Sequence, residues 1–417
     1  MYASSTCYKK PYKCNFISCL TTLSVFLMVI CVNFALFANT KTLNNFVSAE
    51  GVEGDVVEKI EESTNEIFDK IDFSELDEIC NNKYFNNCFF EGESFKELVN
   101  RVLDGDEIFD LKDVSLYVSQ AVKINLNKIL RPLIYIILIV IICCLFKEFK
   151  PSKISGVSDI IYFVCCSIIV VILSKLIFDI SSEVKECIIN LKKQMGLIFP
   201  ILLTLVSSMG GAQTALSFTP FVTFLSNVIS DVFIYILFPL FTLNLVLSII
   251  GNLSKASRMD KLNKFTKQLF KWIVGIVVSI FIACLTIKTF VSGAKDGISI
   301  KAAKYAVKNY IPILGGYINS GLEVVKAGSL LVKNATGVVS LIYLLLSVVS
   351  PILLIAVMEL LLKLVSGIIE VVGDKQSSNL VYSVSNSLRL LVVIMVSVAL
   401  MYFITIYSLM SIMVGFG

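Results

Sequence analysis

Three charged residues stand inside long apolar runs, and their chemistry bears most directly on function. Asp231 lies within the apolar run 218–250. Glu359 and Lys363 lie four positions apart within the run 335–372. A charge inside a membrane costs about 2.5–3.5 kcal/mol on insertion scales, so such groups are paired, hydrated or functional. Asp231 could therefore couple protons or ions, and Glu359 and Lys363 could neutralise each other across one helical turn or serve as a relay.

The surroundings of Asp231 offer hydrogen bonds but no basic group. Its near neighbours in sequence are polar side chains that can hold a carboxylate: Ser226, Asn227, Ser230 and Tyr235. Lys363 could approach it in space, yet Glu359 competes for that lysine. We expect Asp231 to lie at a water-facing break between two half-helices, with ion coupling as the alternative. For Glu359 and Lys363 we favour a structural pair.

Other reactive chemistry finds little support in the sequence. The chain has no histidine, which is the commonest general base and metal ligand. It also lacks P-loop, HExxH, GxSxG and CxxC motifs. We therefore predict that the protein is not an enzyme and has no catalytic, cofactor-binding or metal residues, no cofactor and no identified small-molecule substrate. A disulfide between Cys80 and Cys88 is an open alternative to two free thiols.

Composition predicts an all-α polytopic membrane protein. Of the 417 residues, 56% are hydrophobic and 16% charged, whereas a soluble domain is about 45–50% apolar. The acidic residues are concentrated in one block, because residues 50–113 contain 20 acidic and 6 basic side chains. The loop 252–271 is lysine-rich, which indicates a cytoplasmic segment on anionic lipid more economically than a nucleic-acid site. An acidic block ahead of a basic membrane portion is expected outside the cytoplasm.

An export signal and a small helical region precede the membrane core. Lysines before the apolar run 15–38 predict a signal peptide or signal anchor within residues 1–49. Residues 50–128 are predicted to form an acidic, helical, extracytoplasmic region. Within it, Ser94 and Glu97 have the spacing of a capping box, and Gly105 is placed to end that helix.

Two prolines in each half of the core recur at one spacing and predict a tandem repeat of about 112 residues. Pro200 and Pro239 correspond to Pro312 and Pro351 at this offset. We predict that these prolines interrupt helices, either as kinks in one tilted helix or as junctions of two half-helices. Coincidence is the alternative to duplication. The predicted organisation is a first core span and cytoplasmic loop (129–156), repeat unit 1 (157–271), repeat unit 2 (272–389) and a final span (390–417).

Three stretches resemble one known family. They are DGISIKAAKYAVKNYIPILGGYINSGLEVVKAGSLLVKNATGV (296–338), MGGAQTALSFTPFVTFL (209–225) and SFKELVNRVLDGDEI (94–108). With the order of export signal, acidic helices and membrane core, the chain looks like the stage III sporulation protein AE family of endospore-forming bacteria.

That resemblance implies a role and no reaction. Such proteins reside in the mother-cell membrane around the engulfed forespore, within a secretion-like transenvelope complex that includes other membrane and ring-forming subunits. The expected function is a structural or channel-forming subunit required for forespore development, embedded in the lipid bilayer and binding no nucleic acid. The alternative is a secondary transporter, an ion-coupled permease with a two-repeat core.

Overall fold

The structure, a computed structural model, describes residues 54–80, 93–105, 111–148, 155–253, 259–310, 315–372 and 375–412. Regular structure in these residues is helical throughout, which confirms the predicted all-α fold. The predicted signal in residues 1–49, Cys88 and Pro312 lie outside the described residues. The export signal, the Cys80–Cys88 question and the interruption at Pro312 therefore stay predictions.

Short helices precede the long ones in the chain. The helices are α1 (Gly54–Asp69), α2 (Ser74–Cys80), α3 (Phe95–Asp104), α4 (Leu111–Glu148), α5 (Ser155–Ser208), α6 (Ala212–Val232), a π-helical segment (Phe233–Leu237), α7 (Phe238–Leu253), α8 (Met259–Tyr310), α9 (Gly315–Val372) and α10 (Lys375–Met410). The longest of these is α9 with 58 residues. At a rise of about 1.5 Å per residue, α9 has a contour length of about 87 Å.

Five helical stretches are long and apolar enough to cross a membrane, so the chain is a multi-pass membrane protein. They are Phe163–Ser208, Ala212–Asn252, Lys261–Thr289, Glu323–Val372 and Lys375–Met410. A shorter apolar stretch, Ile129–Leu145, lies in α4.

The antiparallel pair α9 and α10 forms the centre of the bundle. Each is the other's principal partner, and α5 packs against both. Among the candidate spans, α10 is the most buried and the stretch in α8 is the least. The exposed face of α8 carries Trp272, Ile276 and Ile280, and such apolar side chains suit contact with lipid. The centre of the bundle is therefore covered by protein, and α8 lies at its edge.

Of the short acidic helices, α1 and α3 pack on the side of α9, and α2 packs against α3 and α5. The capping box is present as predicted, because Ser94 accepts from the Glu97 amide and the Glu97 side chain accepts from the Ser94 amide. Gly105 ends α3 with a φ of 83°, which favours glycine. Phe95, at the start of α3, is buried and its ring centroid lies 5.7 Å from that of Tyr343 in α9. Apolar contacts thus fix this region to the bundle while its charges face outward.

Two exposed carboxylates in this region have lowered pKa values. A hydrogen bond from Lys70 at 2.6 Å, together with its positive charge, lowers the pKa of Glu66. Side-chain and backbone hydrogen bonds from Ser74 lower the pKa of Asp72. Both carboxylates are therefore stabilised in the charged form by the fold around α1 and α2.

α4 runs through residue 128 without interruption, so the predicted boundary between the acidic region and the first core span falls inside one helix and stays a prediction. One expectation about a loop is corrected. Residues 259–271 are also helical and begin α8, whereas the sequence suggested a loop across 252–271. Lysine is a good helix former, and Leu262, Phe265 and Leu269 recur at helical spacing, which explains the difference.

Prolines do not end the long helices. α5 runs through Pro200 and α9 runs through Pro351, so neither proline is a junction of two half-helices, and a kink within one helix stays a prediction at both positions. A proline inside a helix cannot donate to the carbonyl four residues earlier. For Pro351 that carbonyl belongs to Ser347, and the Cys187 thiol donates to it at 3.5 Å. Packing against α5 thus supplies a replacement donor. Pro239 differs, because it lies two residues after the end of the π-helical segment, which locally changes the hydrogen-bond pattern.

The helix ends do not fall at one offset in the two halves. The turn after α5 follows Ser208, whereas α8 ends at Tyr310, which corresponds to position 198 at the 112-residue offset. The tandem repeat stays a prediction.

Candidate functional site

A cluster of three charges joins the two central helices. One carboxylate oxygen of Glu359 accepts hydrogen bonds from Arg389 Nε at 2.8 Å and Nη2 at 2.7 Å. The same oxygen accepts a hydrogen bond from Lys363, as the spacing of four residues predicts. Glu359 and Arg389 are only 14% and 15% exposed, so the pair is largely removed from solvent. The contact between α9 and α10 is therefore electrostatic as well as apolar.

The electrostatics of this cluster favour a fixed arrangement. Glu359 carries one negative charge and faces two cations, Lys363 and Arg389. Arginine stays protonated in proteins, and its planar fork is suited to a carboxylate. Replacing Glu359 by a neutral residue would remove the carboxylate that contacts both cations. The geometry thus supports the interpretation of Glu359 and Lys363 as a structural pair. Arg389 is a third member of this cluster.

A second polar cluster connects α7, α8 and α10. Asn244 Nδ2 donates to Asn263 Oδ1 at 2.6 Å, and Asn263 Nδ2 donates to Ser248 Oγ at 2.9 Å. Ser248 lies 3.2 Å from the Ser387 hydroxyl, which donates to Asn244 Oδ1 at 3.3 Å. Asn244, Ser248 and Ser387 are buried, so this ring of hydrogen bonds satisfies groups that would otherwise be costly. It also fixes the polar beginning of α8 to the bundle.

Lys333 closes the end of α10. Its side chain is fully buried, and its Nζ donates to the carbonyls of Met410 at 2.9 Å and Ile412 at 2.7 Å. The last carbonyls of a helix have no intrahelical donor and lie at the negative end of the dipole, so a lysine satisfies them. Beside it, α9 approaches closely at Gly337, where a Cβ would lie 2.5 Å from Met410 Sδ.

Asp231 has a basic partner that the sequence did not reveal. Lys192 Nζ on α5 lies 3.6 Å from Asp231 Oδ1, and the two side chains are 34% and 54% exposed. Asp231 precedes the π-helical segment, a type of irregularity that is frequent at functional sites. Lys363 contacts Glu359, the competing partner that the sequence indicated.

Ser226 and Ser230, which the sequence suggested could hydrogen-bond to Asp231, bind Tyr402 instead. The hydroxyls of Ser226 and Ser230 lie 3.2 Å and 3.0 Å from the Tyr402 hydroxyl, and all three residues are buried. Tyr402 also donates to the Ser226 carbonyl at 3.3 Å. These hydrogen bonds connect α6 to α10 close to Asp231. The ion-pair partner of Asp231 therefore comes from the α5 side.

Sequence reasoning missed three cations: Lys192, Lys333 and Arg389. Each stands inside or at the edge of an apolar stretch, which was the signal available. Their partners are 39, 77 and 30 positions away, counting to Asp231, Met410 and Glu359. No local spacing indicates such pairs.

The described residues include no group of three or more histidine, cysteine, aspartate or glutamate side chains that could hold a metal ion. Their charged and polar clusters lie between helices and provide contacts, and an open groove lies beside Asp231.

A bundle of long apolar helices with charges paired across its interior defines a multi-pass helical membrane protein. The chain belongs to the stage III sporulation protein AE family, whose model matches residues 93–416. Stage III sporulation protein AE of Bacillus subtilis (strain 168) is 26% identical to it over 321 residues, covering 75% of this chain and 79% of the relative. No solved structure matches the chain. The resemblance found in the three sequence stretches is thereby confirmed, and the protein is a sporulation-related membrane protein.

Proposed function

We propose that the protein is a structural, channel-forming subunit of the transenvelope complex that links mother cell and forespore. In this proposal it resides in the mother-cell membrane around the forespore, beside other membrane and ring-forming subunits, and is required for forespore development. Its family supports a role in sporulation. The observation that carries the structural role is the Glu359–Arg389–Lys363 cluster, whose charges join α9 to α10.

This arrangement favours a scaffold over a pump. An ion-coupled carboxylate must change its protonation or ion occupancy as access alternates. Glu359 instead receives three hydrogen bonds from two cations. The peripheral helix α8 offers an apolar face that suits lipid or neighbouring subunits in a larger assembly.

The second candidate, an ion-coupled permease, is favoured by one observation. Asp231 and Lys192 form a half-exposed pair next to a π-helical segment, where the helix can change its hydrogen-bond pattern. The predicted two-repeat organisation, with units at residues 157–271 and 272–389, is also expected for an ion-coupled permease.

Purification and reconstitution separate the two candidates. The full chain is isolated from sporulating cells, and the proteins that accompany it are identified. It is then reconstituted alone in liposomes for ion-flux measurements. A structural subunit is expected to bring companion proteins and to give no flux on its own. Coupled flux from the isolated protein, abolished by Asp231→Asn, would support the permease instead.

The proposal places residues 50–128 outside the cytoplasm. The acidic composition of these residues and the contact of α1 and α3 with the first half of α9 support this location. Single cysteines introduced at exposed positions in α1 and at the start of α8, in a cysteine-free background, test this with an impermeant thiol reagent. With the protein expressed in vegetative cells, where it enters the plasma membrane, labelling of α1 and protection of α8 after removal of the wall is expected. The reverse pattern would contradict the proposed topology.

A further inference from the structure

An open groove lies between α5 and the end of α6. Its volume is about 550 Å³, within the range of ligand pockets of about 300–1,000 Å³. Lys192, Lys193, Asn227 and Asp231 provide its polar lining, and Phe199 is among the apolar side chains beside them. The groove thus combines charges of both signs with an apolar wall.

The charges of the groove are available to a ligand. Lys192 and Asp231 are 3.6 Å apart and partly exposed, so their contact is loose. Lys193 also lines the groove and is exposed. Two lysines against one aspartate leave a formal charge of about +1, which favours an anionic ligand over a neutral or zwitterionic one.

A backbone acceptor adds to this lining. Pro200 has no N–H, so the carbonyl of Gly196 cannot receive the usual hydrogen bond from four residues ahead. Gly196 and Pro200 both line the groove. The Gly196 carbonyl and the Asp231 carboxylate can therefore accept hydrogen bonds from hydroxyl groups.

The surface around the groove is apolar. On α5, Ile189 is 42% exposed, and on α6 Phe224 is 66% exposed. Tyr235 and Ile236 in the π-helical segment are 73% and 49% exposed. Large apolar side chains on both walls, with a tyrosine at the polar site, are typical of a membrane–water interface. A ligand with hydrocarbon chains can thus reach the groove from the bilayer.

We propose that this groove binds the headgroup of an anionic phospholipid. The phosphate lies against Lys192 and Lys193, and headgroup hydroxyls donate to Asp231 and to the Gly196 carbonyl. The acyl chains follow the exposed apolar surface of α6. The bound phosphate balances the net positive charge of the groove, which a zwitterionic headgroup does not.

Binding is tested with the full-length protein, stripped of lipid in detergent and titrated with phosphatidylglycerol or phosphatidylethanolamine. Intact-protein mass spectrometry measures the bound fraction. We expect Lys192→Gln/Lys193→Gln to weaken phosphatidylglycerol binding about tenfold. The charge-conserving Lys192→Arg/Lys193→Arg should retain it. Lys175→Gln is the matched control, because Lys175 is exposed on the same helix and does not line the groove.

Competition with glycerol phosphate distinguishes binding of a lipid headgroup from binding of a free phosphate. Glycerol phosphate in millimolar amounts should not displace the lipid, because the acyl chains contribute to binding. Displacement by glycerol phosphate at the concentration of the lipid would overturn the assignment to a lipid. Equal affinity for the two phospholipids, or unchanged binding in the glutamine double variant, would overturn the site itself.

Discussion

Replacing Glu359 by glutamine removes the only carboxylate that contacts Arg389 in the described part of the chain, while preserving shape. In the native protein one Glu359 oxygen accepts hydrogen bonds from Arg389 and Lys363. The Glu359→Gln variant leaves both cations without that negative charge, and Arg389 is only 15% exposed. Breaking a buried ion pair by removing one partner costs about 3–5 kcal/mol of unfolding free energy.

The expected fall in thermal midpoint follows from the size of the chain. With about 2.1 cal/mol/K of unfolding entropy per residue, 417 residues convert about 3–5 kcal/mol into a fall of about 3–6 °C. The purified protein in mild detergent is heated, and the folded fraction is followed by size-exclusion chromatography. Lys363→Gln should cost only about 0.2–1 kcal/mol, because Glu359 keeps Arg389 and Lys363 is 34% exposed.

The matched control is Glu370→Gln, which removes a carboxylate from an exposed position of the same helix. It should change the unfolding free energy by no more than about 0.5 kcal/mol. The reasoning is refuted if Glu359→Gln and Glu370→Gln have the same midpoint. It is also refuted if Lys363→Gln lowers the midpoint as much as Glu359→Gln does.

Further predictions concern the acidic helices and the groove. Gly328→Leu should separate α1 from α9 and speed amide exchange in α1, because a Cβ there would lie 3.1 Å from the α1 backbone; Gly321→Leu, where nothing lies within 4 Å, should not. Equal exchange in both variants would contradict the packing. Asp231→Asn should leave spore formation nearly intact, whereas Asp231→Leu should reduce it; loss of spores in the asparagine variant with normal assembly would favour ion coupling. Acidification should loosen α1 and α2 slightly, since the pKa values of Glu66 and Asp72 are lowered from 4.5 and 3.8. The stabilisation that these two charged carboxylates provide is complete above their ordinary pKa values and is lost as the pH falls through the lowered pKa values. Amide exchange in α1 and α2 should therefore become faster at low pH. Unchanged exchange would contradict this prediction.

The sequence predicted the features that depend on local spacing. The helical class follows from apolar runs, and the cap at Ser94 follows from Glu97 three residues later. The contact between Glu359 and Lys363 follows from one turn of helix. Each of these needs only the geometry of a single element.

The features that the sequence did not predict depend on which helices meet. Arg389 reaches Glu359 because α10 returns along α9, and Lys192 reaches Asp231 because α5 and α6 are neighbours. At Pro351, Cys187 of another helix donates to the carbonyl that the proline leaves free. Such compensation is a tertiary effect, and a proline in the sequence carries no sign of it.

The length of α9 has a consequence for how the protein occupies space. About 87 Å of continuous helix is nearly three times the roughly 30 Å thickness of bilayer hydrocarbon, so a substantial part of α9 lies outside it. α1 and α3 are attached to this helix. It therefore acts as a spacer of fixed length, which sets their height and their direction by residue count. Each inserted residue would lift the attached helices by about 1.5 Å and rotate them by about 100°, so insertions close to whole numbers of turns, such as about 7, 11 or 18 residues, would keep them facing nearly the same way.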